Sequence, residues 1–157
     1  MNLDEKIINA LKDLDYKEAT EIQKKAIPIA LKKRDILAAA QSGTGKTAAF
    51  LLPILTELLA NKQVDKPILR ALILVPTREL ATQISKAVSD FSKYMEVESL
   101  AMVGGVSTKD QEKKIAKGLD ILVATSGRLM EHLKNGTVDL SSVTTVVIDE
   151  VDTMLDM

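Results

Sequence analysis

The stretch DILAAAQSGTGKT (residues 35–47) decides the fold. Asp35 opens a short apolar run that reads as a buried strand, a glycine-bearing turn follows, and from Lys46 the segment KTAAFLLPILTELLA (46–60) reads as a long helix with Pro53 as its kink. Strand, turn and helix in that order are one unit of an alternating chain. Downstream, RALILVP (70–76) is the next strand, and Leu80, Ile84, Val88 and Phe91 share one face of the helix after it. ESLAMVGG (98–105) is a strand. STKDQEKKIAKG (107–118) is a polar helix with Ser107 and Asp110 placed as a capping box. DILVAT (120–125), GRLMEHLKN (127–135) and VTTVVID (143–149) continue the pattern as strand, helix and strand. Upstream, Leu3, Ile7, Leu11 and Leu14 recur at helical spacing. A second helix opens at Thr20 and carries Ile22, Ala26 and Ile27, with Pro28 expected to break or kink it. Only ANKQVDKP (60–67) resembles a loose loop. Short apolar strands alternating with helices predict an α/β fold, a parallel sheet with helices on both faces. Ligands of such sheets bind where the strands' carboxyl ends open into loops.

Composition narrows the class. The chain has 157 residues, the size of one domain. Hydrophobic residues make up 46% and aromatics only 3%, so the core is aliphatic. Charged residues reach 27% but nearly cancel to a net charge of -1, so a phosphate-binding surface must be local rather than global. There is no cysteine, which removes disulfides and thiolate metal sites and is compatible with a reducing compartment. The first residues, MNLDEKIINALKDL, are charged and amphipathic unlike a signal peptide, and no apolar run spans a bilayer; a cytoplasmic protein is expected.

AQSGTGKT (40–47) lies between a strand and a helix, the context that gives a phosphate-loop reading its strength. Gly43 and Gly45 permit the backbone angles that turn successive N–H groups, those of Gln41, Ser42 and Thr44 among them, toward phosphate oxygens. The helix adds its positive dipole end. Lys46 would reach the outer phosphates and the Thr47 hydroxyl would ligate Mg2+. Ala40 stands where the strict pattern has glycine, and the competing reading is a plain strand-to-helix turn with a surface lysine.

VVIDEVDTMLDM (146–157) brings an apolar strand to two adjacent carboxylates. Asp149 would hold Mg2+, directly or through water, and Glu150 would orient and deprotonate an attacking water. A carboxylate pair at a strand end often only caps a turn; here both it and the phosphate loop fall at strand C-termini of one alternating chain, and together they make a nucleotide-hydrolase constellation. Asp152 reads either as the N-cap of the last turn or as a partner for a loop residue.

Taken in order, AQSGTGKT, PTRELA (76–81), GG (104–105), TSGR (125–128) and DEVD (149–152) resemble motifs I, Ia, the GG element, Ib and II of the DEAD-box RNA helicases. DYKEATEIQ (15–23) is similar to that family's Q motif. The resemblance covers essentially the whole chain and implies the first, N-terminal RecA-like ATP-binding domain of an ATP-dependent RNA helicase, with ATP, Mg2+ and RNA as ligands. It implies that Gln23 reads adenine, with Thr20 beside it and Tyr16 as a stacking platform. Lys46, Asp149 and Glu150 are implied as the catalytic set, Thr47 and Asp149 as the magnesium ligands. Pro76, Thr77, Arg78, Gly104, Gly105, Thr125, Gly127 and Arg128 are implied to line an RNA backbone track of low sequence selectivity. Four positions depart from the family pattern: Asp15 replaces Gly, Ala19 replaces Pro, Ser126 replaces Pro and Val151 replaces Ala.

Structural readings stand beside several of these roles. Thr20 and Gln23 also spell a capping box, Tyr16 is compatible with partial burial, Thr77 and Thr125 with plain N-caps, and either arginine with a salt bridge on its own helix. His132, the single histidine, is expected on a solvated helix face without a catalytic role, and Lys32 to Arg34 at a helix C-terminus.

By the resemblance, a Ser-Ala-Thr strand, a linker and a second RecA-like domain would follow residue 157. The chain is expected to be an incomplete catalyst, and its sheet to show a gap, a rearranged pairing or a strand borrowed in self-association. Rival readings are a non-catalytic nucleotide- or RNA-binding module and a DNA-directed relative.

Overall fold

The computed structural model describes residues 3–40, 45–61 and 65–156. These form two compact units. The first holds helices α1 (Glu5–Asp13), α2 (Glu21–Leu31) and α3 (Lys46–Ala60) together with residues 87–96. The second holds strands β1 (Ala71–Val75), β2 (Ser99–Met102), β3 (Ile121–Thr125) and β4 (Thr145–Ile148) with helices α5 (Thr108–Lys117), α6 (Ser126–Lys134) and α7 (Val151–Leu155). Helix α4 (Arg78–Phe91) has residues 78–86 in the second unit and 87–91 in the first.

In the first unit α3 supplies most of the core. Leu51, Leu52, Ile54, Leu55 and Leu58 are buried, as are Ile7 and Ala10 of α1 and Ala26 and Ile27 of α2. Neither helix breaks at its proline: α2 continues through Pro28 and α3 through Pro53. Both α1 and α2 end in Schellman turns. Asp15 N–H donates to the Lys12 carbonyl and Tyr16 N–H to that of Leu11; Lys33 and Arg34 repeat the pattern with Ala30 and Ile29. Each turn requires a left-handed residue, and Asp15 and Lys33 supply it at φ 61°. Asp15, the residue standing where the family pattern has glycine, thus adopts a glycine-like conformation, one that aspartate tolerates better than most. Tyr16 is 44% exposed and packs edge-on to Phe91, ring centroids 5.8 Å apart. Asp13 accepts hydrogen bonds from Lys93 Nζ at 2.8 Å and from the Tyr94 hydroxyl.

In the second unit all strand pairs are parallel, in the order β2-β3-β1-β4. One sheet face carries Leu72, Leu100, Met102, Leu122 and Ala124 into a core completed by Leu119, Leu129 and Val138. At the amino ends of the strands, Asp120 ties three of them together. Its carboxylate accepts from Arg70 Nη2 at 3.2 Å and from Glu98 N at 2.9 Å, and its carbonyl accepts from Arg70 and Ala71 N–H.

Two expectations are corrected here. Residues 35–40 are not a buried strand: they lie outside any strand and Leu37 is 96% exposed. Apolar character favours a strand only where neighbouring strands can satisfy its backbone groups, and no described strand pairs with these residues. The described strands pair without interruption, so no gap lies between them; β4 is an edge that pairs only with β1, and its Val146 and Ile148 stay 56% and 51% exposed. His132 is likewise not on a solvated face. It is fully buried, because Gln111 and Thr137 satisfy both ring nitrogens.

Candidate functional site

In the first unit the site begins where α3 begins. Gly45, at φ 82°, is the N-cap of α3, and a Cβ there would lie 2.4 Å from Gln23 Nε2 and 2.8 Å from Thr20 Oγ1. Only glycine fits this position, on both backbone and space. Gln23 is buried and spans the gap: Nε2 donates to the Gly45 carbonyl at 3.0 Å and Oε1 accepts from Thr20 N at 3.0 Å. Thr20 and Gln23 therefore form the expected capping box, yet the Thr20 hydroxyl, facing the Gln23 N–H, makes no bond within hydrogen-bonding geometry. Lys46 and Thr47 occupy the first turn of α3. Gln41, Ser42, Gly43 and Thr44 lie outside the described residues.

In the second unit every residue expected at the site falls at the carboxyl edge of the sheet. Pro76, Thr77 and Arg78 follow β1, Gly104 and Gly105 follow β2, Thr125 to Arg128 close β3 and open α6, and Asp149 and Glu150 follow β4. Arg78 and Arg128 converge on the paired glycines. A Cβ on Gly105, whose φ is 83°, would lie 2.9 Å from Arg78 Nη1; one on Gly104 would lie 4.0 Å from Arg128 Nη2. Arg128 also donates from Nη1 to the Val106 carbonyl at 3.0 Å and pairs with Glu131 at 3.2 Å, so its structural reading is realised alongside. Thr77 caps α4, its Oγ1 accepting from Leu80 N at 3.2 Å, whereas Thr125 is an N-cap without a side-chain bond. Around Gly127 an added Cβ would meet nothing within 4 Å, which leaves the start of α6 open to a ligand.

Asp149 is buried, and its Oδ1 accepts from Glu150 N at 3.0 Å. Glu150 adopts φ 52°, ψ 50° as the N-cap of α7. A left-handed glutamate is a sparsely populated conformation of the sort that collects at functional sites. α7 starts at Val151, so Asp152 sits in its first turn and is not its N-cap. Val151 is exposed.

The residues present fit a nucleoside triphosphate. A helix N-terminus preceded by an obligatory glycine, a lysine and a hydroxyl in the first turn, and an orphaned Thr20 hydroxyl beside them make up the donor set such a ligand takes. Sequence reasoning missed Gln111 and Asp120; a glutamine and an aspartate flanking apolar positions carry no signal of burial until the partners that satisfy them are known.

A parallel sheet with its functional loops gathered at one edge and a glycine-opened helix preceding it defines the RecA-like class of α/β domain. The chain belongs to the DEAD/DEAH box helicase family, whose model matches residues 20–157. It is 46% identical over 152 residues to the ATP-dependent RNA helicase DeaD of Escherichia coli K12, covering 96% of this chain and 24% of that protein. The human probable ATP-dependent RNA helicase DDX27 is 43% identical over 157 residues, 99% of this chain and 20% of its own length. The crystal structure of a hypothetical ATP-dependent RNA helicase from Sulfolobus tokodaii matches with a TM-score of 0.88 at 37% identity, over 99% of this chain and 44% of that one. The chain thus spans between 19% and 35% of the length of these curated relatives. No helix among the described residues is long and apolar enough to cross a membrane.

Proposed function

We propose that the chain is the ATP-binding and RNA-backbone-binding part of an ATP-dependent RNA helicase. The observation that carries this reading is the approach of Arg78 and Arg128 to Gly104 and Gly105 at the carboxyl edge of the sheet. Two guanidinium groups beside glycines without side chains form a cationic surface that a sugar-phosphate backbone can approach closely, and they read charge rather than sequence. Pro76, Thr77, Thr125 and Gly127 extend it.

Gln41 to Thr47 would hold the triphosphate. Thr47 and Asp149 would take Mg2+, and Glu150 Oε would orient the attacking water and hold its proton. Tyr16, Thr20 and Gln23 would face adenine: Gln23 spends one N–H on the Gly45 carbonyl and one acceptor site on Thr20 N–H, and its amide keeps another of each. Bound ATP supplies the anhydride whose cleavage drives the cycle. The matched relatives extend far beyond the matched region, and we place a second RecA-like domain there, closing on the first over ATP and RNA to open duplexes.

Separate titrations of the chain with ATP and with single-stranded RNA test this. Nucleotide affinity is expected to need Mg2+ and to fall in Lys46→Ala. RNA affinity is expected to fall in Arg78→Ala and Arg128→Ala, each lowering the salt slope by about 1. Nucleotide binding indifferent to Mg2+ and to Lys46→Ala points to a non-catalytic module. Preference for DNA over RNA of the same sequence points to a DNA-directed enzyme. RNA-stimulated turnover by the chain alone is expected to be slow; brisk turnover removes the need for a second domain.

A further inference from the structure

We propose that Gln111 and His132, both buried and neither facing the surface, are the positioning residues of the RNA-backbone track; this rests on the reading of that track given above. Gln111 belongs to α5 and His132 to α6, and they meet beneath the paired-glycine loop. Gln111 Nε2 donates to the Val103 carbonyl at 3.0 Å, the residue that leads into Gly104. Since a carbonyl only accepts, this bond fixes which end of the amide faces which way. Oε1 must then be the atom that faces His132 Nε2 at 2.9 Å and Arg128 Nη1 at 3.4 Å. His132 Nε2 therefore carries a hydrogen, and Nδ1 faces the Thr137 hydroxyl at 2.8 Å, which also lies 3.1 Å from the His132 carbonyl.

One buried amide thus holds the loop after β2 through Val103 and the guanidinium of Arg128 through its oxygen, while His132 holds the amide. The glycine loop after β2 and Arg128 on α6 thus share a single anchor. The glutamine cannot rotate without releasing all three groups, and a buried amide left unpaired is costly. The pair is accordingly built to keep Arg128 and the glycines at a set separation, the quantity that matters for contacts spaced along a phosphate backbone.

Three measurements on the chain test this. Imidazole nitrogen NMR of the unsubstituted chain is expected to show a hydrogen on Nε2; a ring that carries its hydrogen on Nδ1 alone overturns the network. In Gln111→Leu and His132→Gln, the Gly104 and Gly105 amide resonances are expected to shift without RNA present. Affinity for a single-stranded oligouridine is expected to weaken about tenfold, the size of one lost hydrogen bond to a charged group, while Mg2+-nucleotide affinity stays unchanged. A role in stability alone would lower the melting temperature and leave RNA affinity at low temperature untouched, and that result overturns the proposal. Gln111→Glu keeps the acceptor toward Arg128 and loses the donor to Val103; it is expected to shift the glycine amides yet retain more RNA affinity than Gln111→Leu. Failure of the unsubstituted chain to bind RNA overturns the track itself, and with it the proposed role, and is distinguished by needing no variant.

Discussion

Single residues carry their conformational costs visibly in the first unit. Lys33 closes α2 in the left-handed region without glycine's freedom, and a side chain there costs on the order of 1 kcal/mol. Lys33→Gly is therefore expected to stabilise the chain by about 0.5–1 kcal/mol, read by urea unfolding; its ion pair with Glu57 is solvent-facing and little is lost with it. Asp13 shows a different residue-scale effect. Hydrogen bonds from Lys93 and then from Tyr94 hold its carboxyl below the ordinary 3.8, while Asp13 in turn raises Lys93 above 10.5 and Tyr94 above 10.0. A depressed acid contributes stability that is present above its unfolded value and lost as pH falls through the folded one; raised Lys and Tyr contribute below their unfolded values and lose it as pH rises. Stability is thus expected to decline on both flanks. Asp13→Asn should flatten the acid decline below about pH 4 in melting curves taken across pH. An unchanged acid limb would show that the cluster contributes nothing.

At the scale of elements, the strands are held in register by a polar knot as much as by apolar contact. Arg70 and Asp120 are mostly buried, and Asp120 also bonds the chain just before β2. Removing the Asp120 carboxylate breaks a buried, hydrogen-bonded pair and the bond to Glu98 N together, so Asp120→Ala is expected to cost about 3–5 kcal/mol in chemical unfolding. A loss below about 1 kcal/mol would place the pair with exposed ones, which contribute little. Element positions were largely legible beforehand. The stretches read as strands at 70–76, 98–105, 120–125 and 143–149 each contain one, because continuous β-branched and aliphatic runs suit a parallel sheet. The 35–40 run is apolar too and is not a strand, since strand formation also needs a neighbour.

Across the whole molecule, the least protected feature is β4. Val146 and Ile148 project from an edge strand that pairs on one side only among the described strands, the type of surface that recruits another strand. The chain is expected to self-associate at high concentration, and Ile148→Lys to shift sedimentation velocity profiles toward the monomer. A monomer at all concentrations, with or without the substitution, would show that the edge is silent.

By itself the sequence determined the class of fold, the family and the places where loops meet the sheet, because hydrophobic periodicity and glycine spacing act through neighbours a few residues apart. Only the tertiary structure decided that His132 is buried, that Gln111 joins Val103 to Arg128, and that residues 35–40 stay exposed. Each of these depends on groups distant in the chain, and burial of a polar side chain or pairing of a strand is favourable only when the fold delivers its partner.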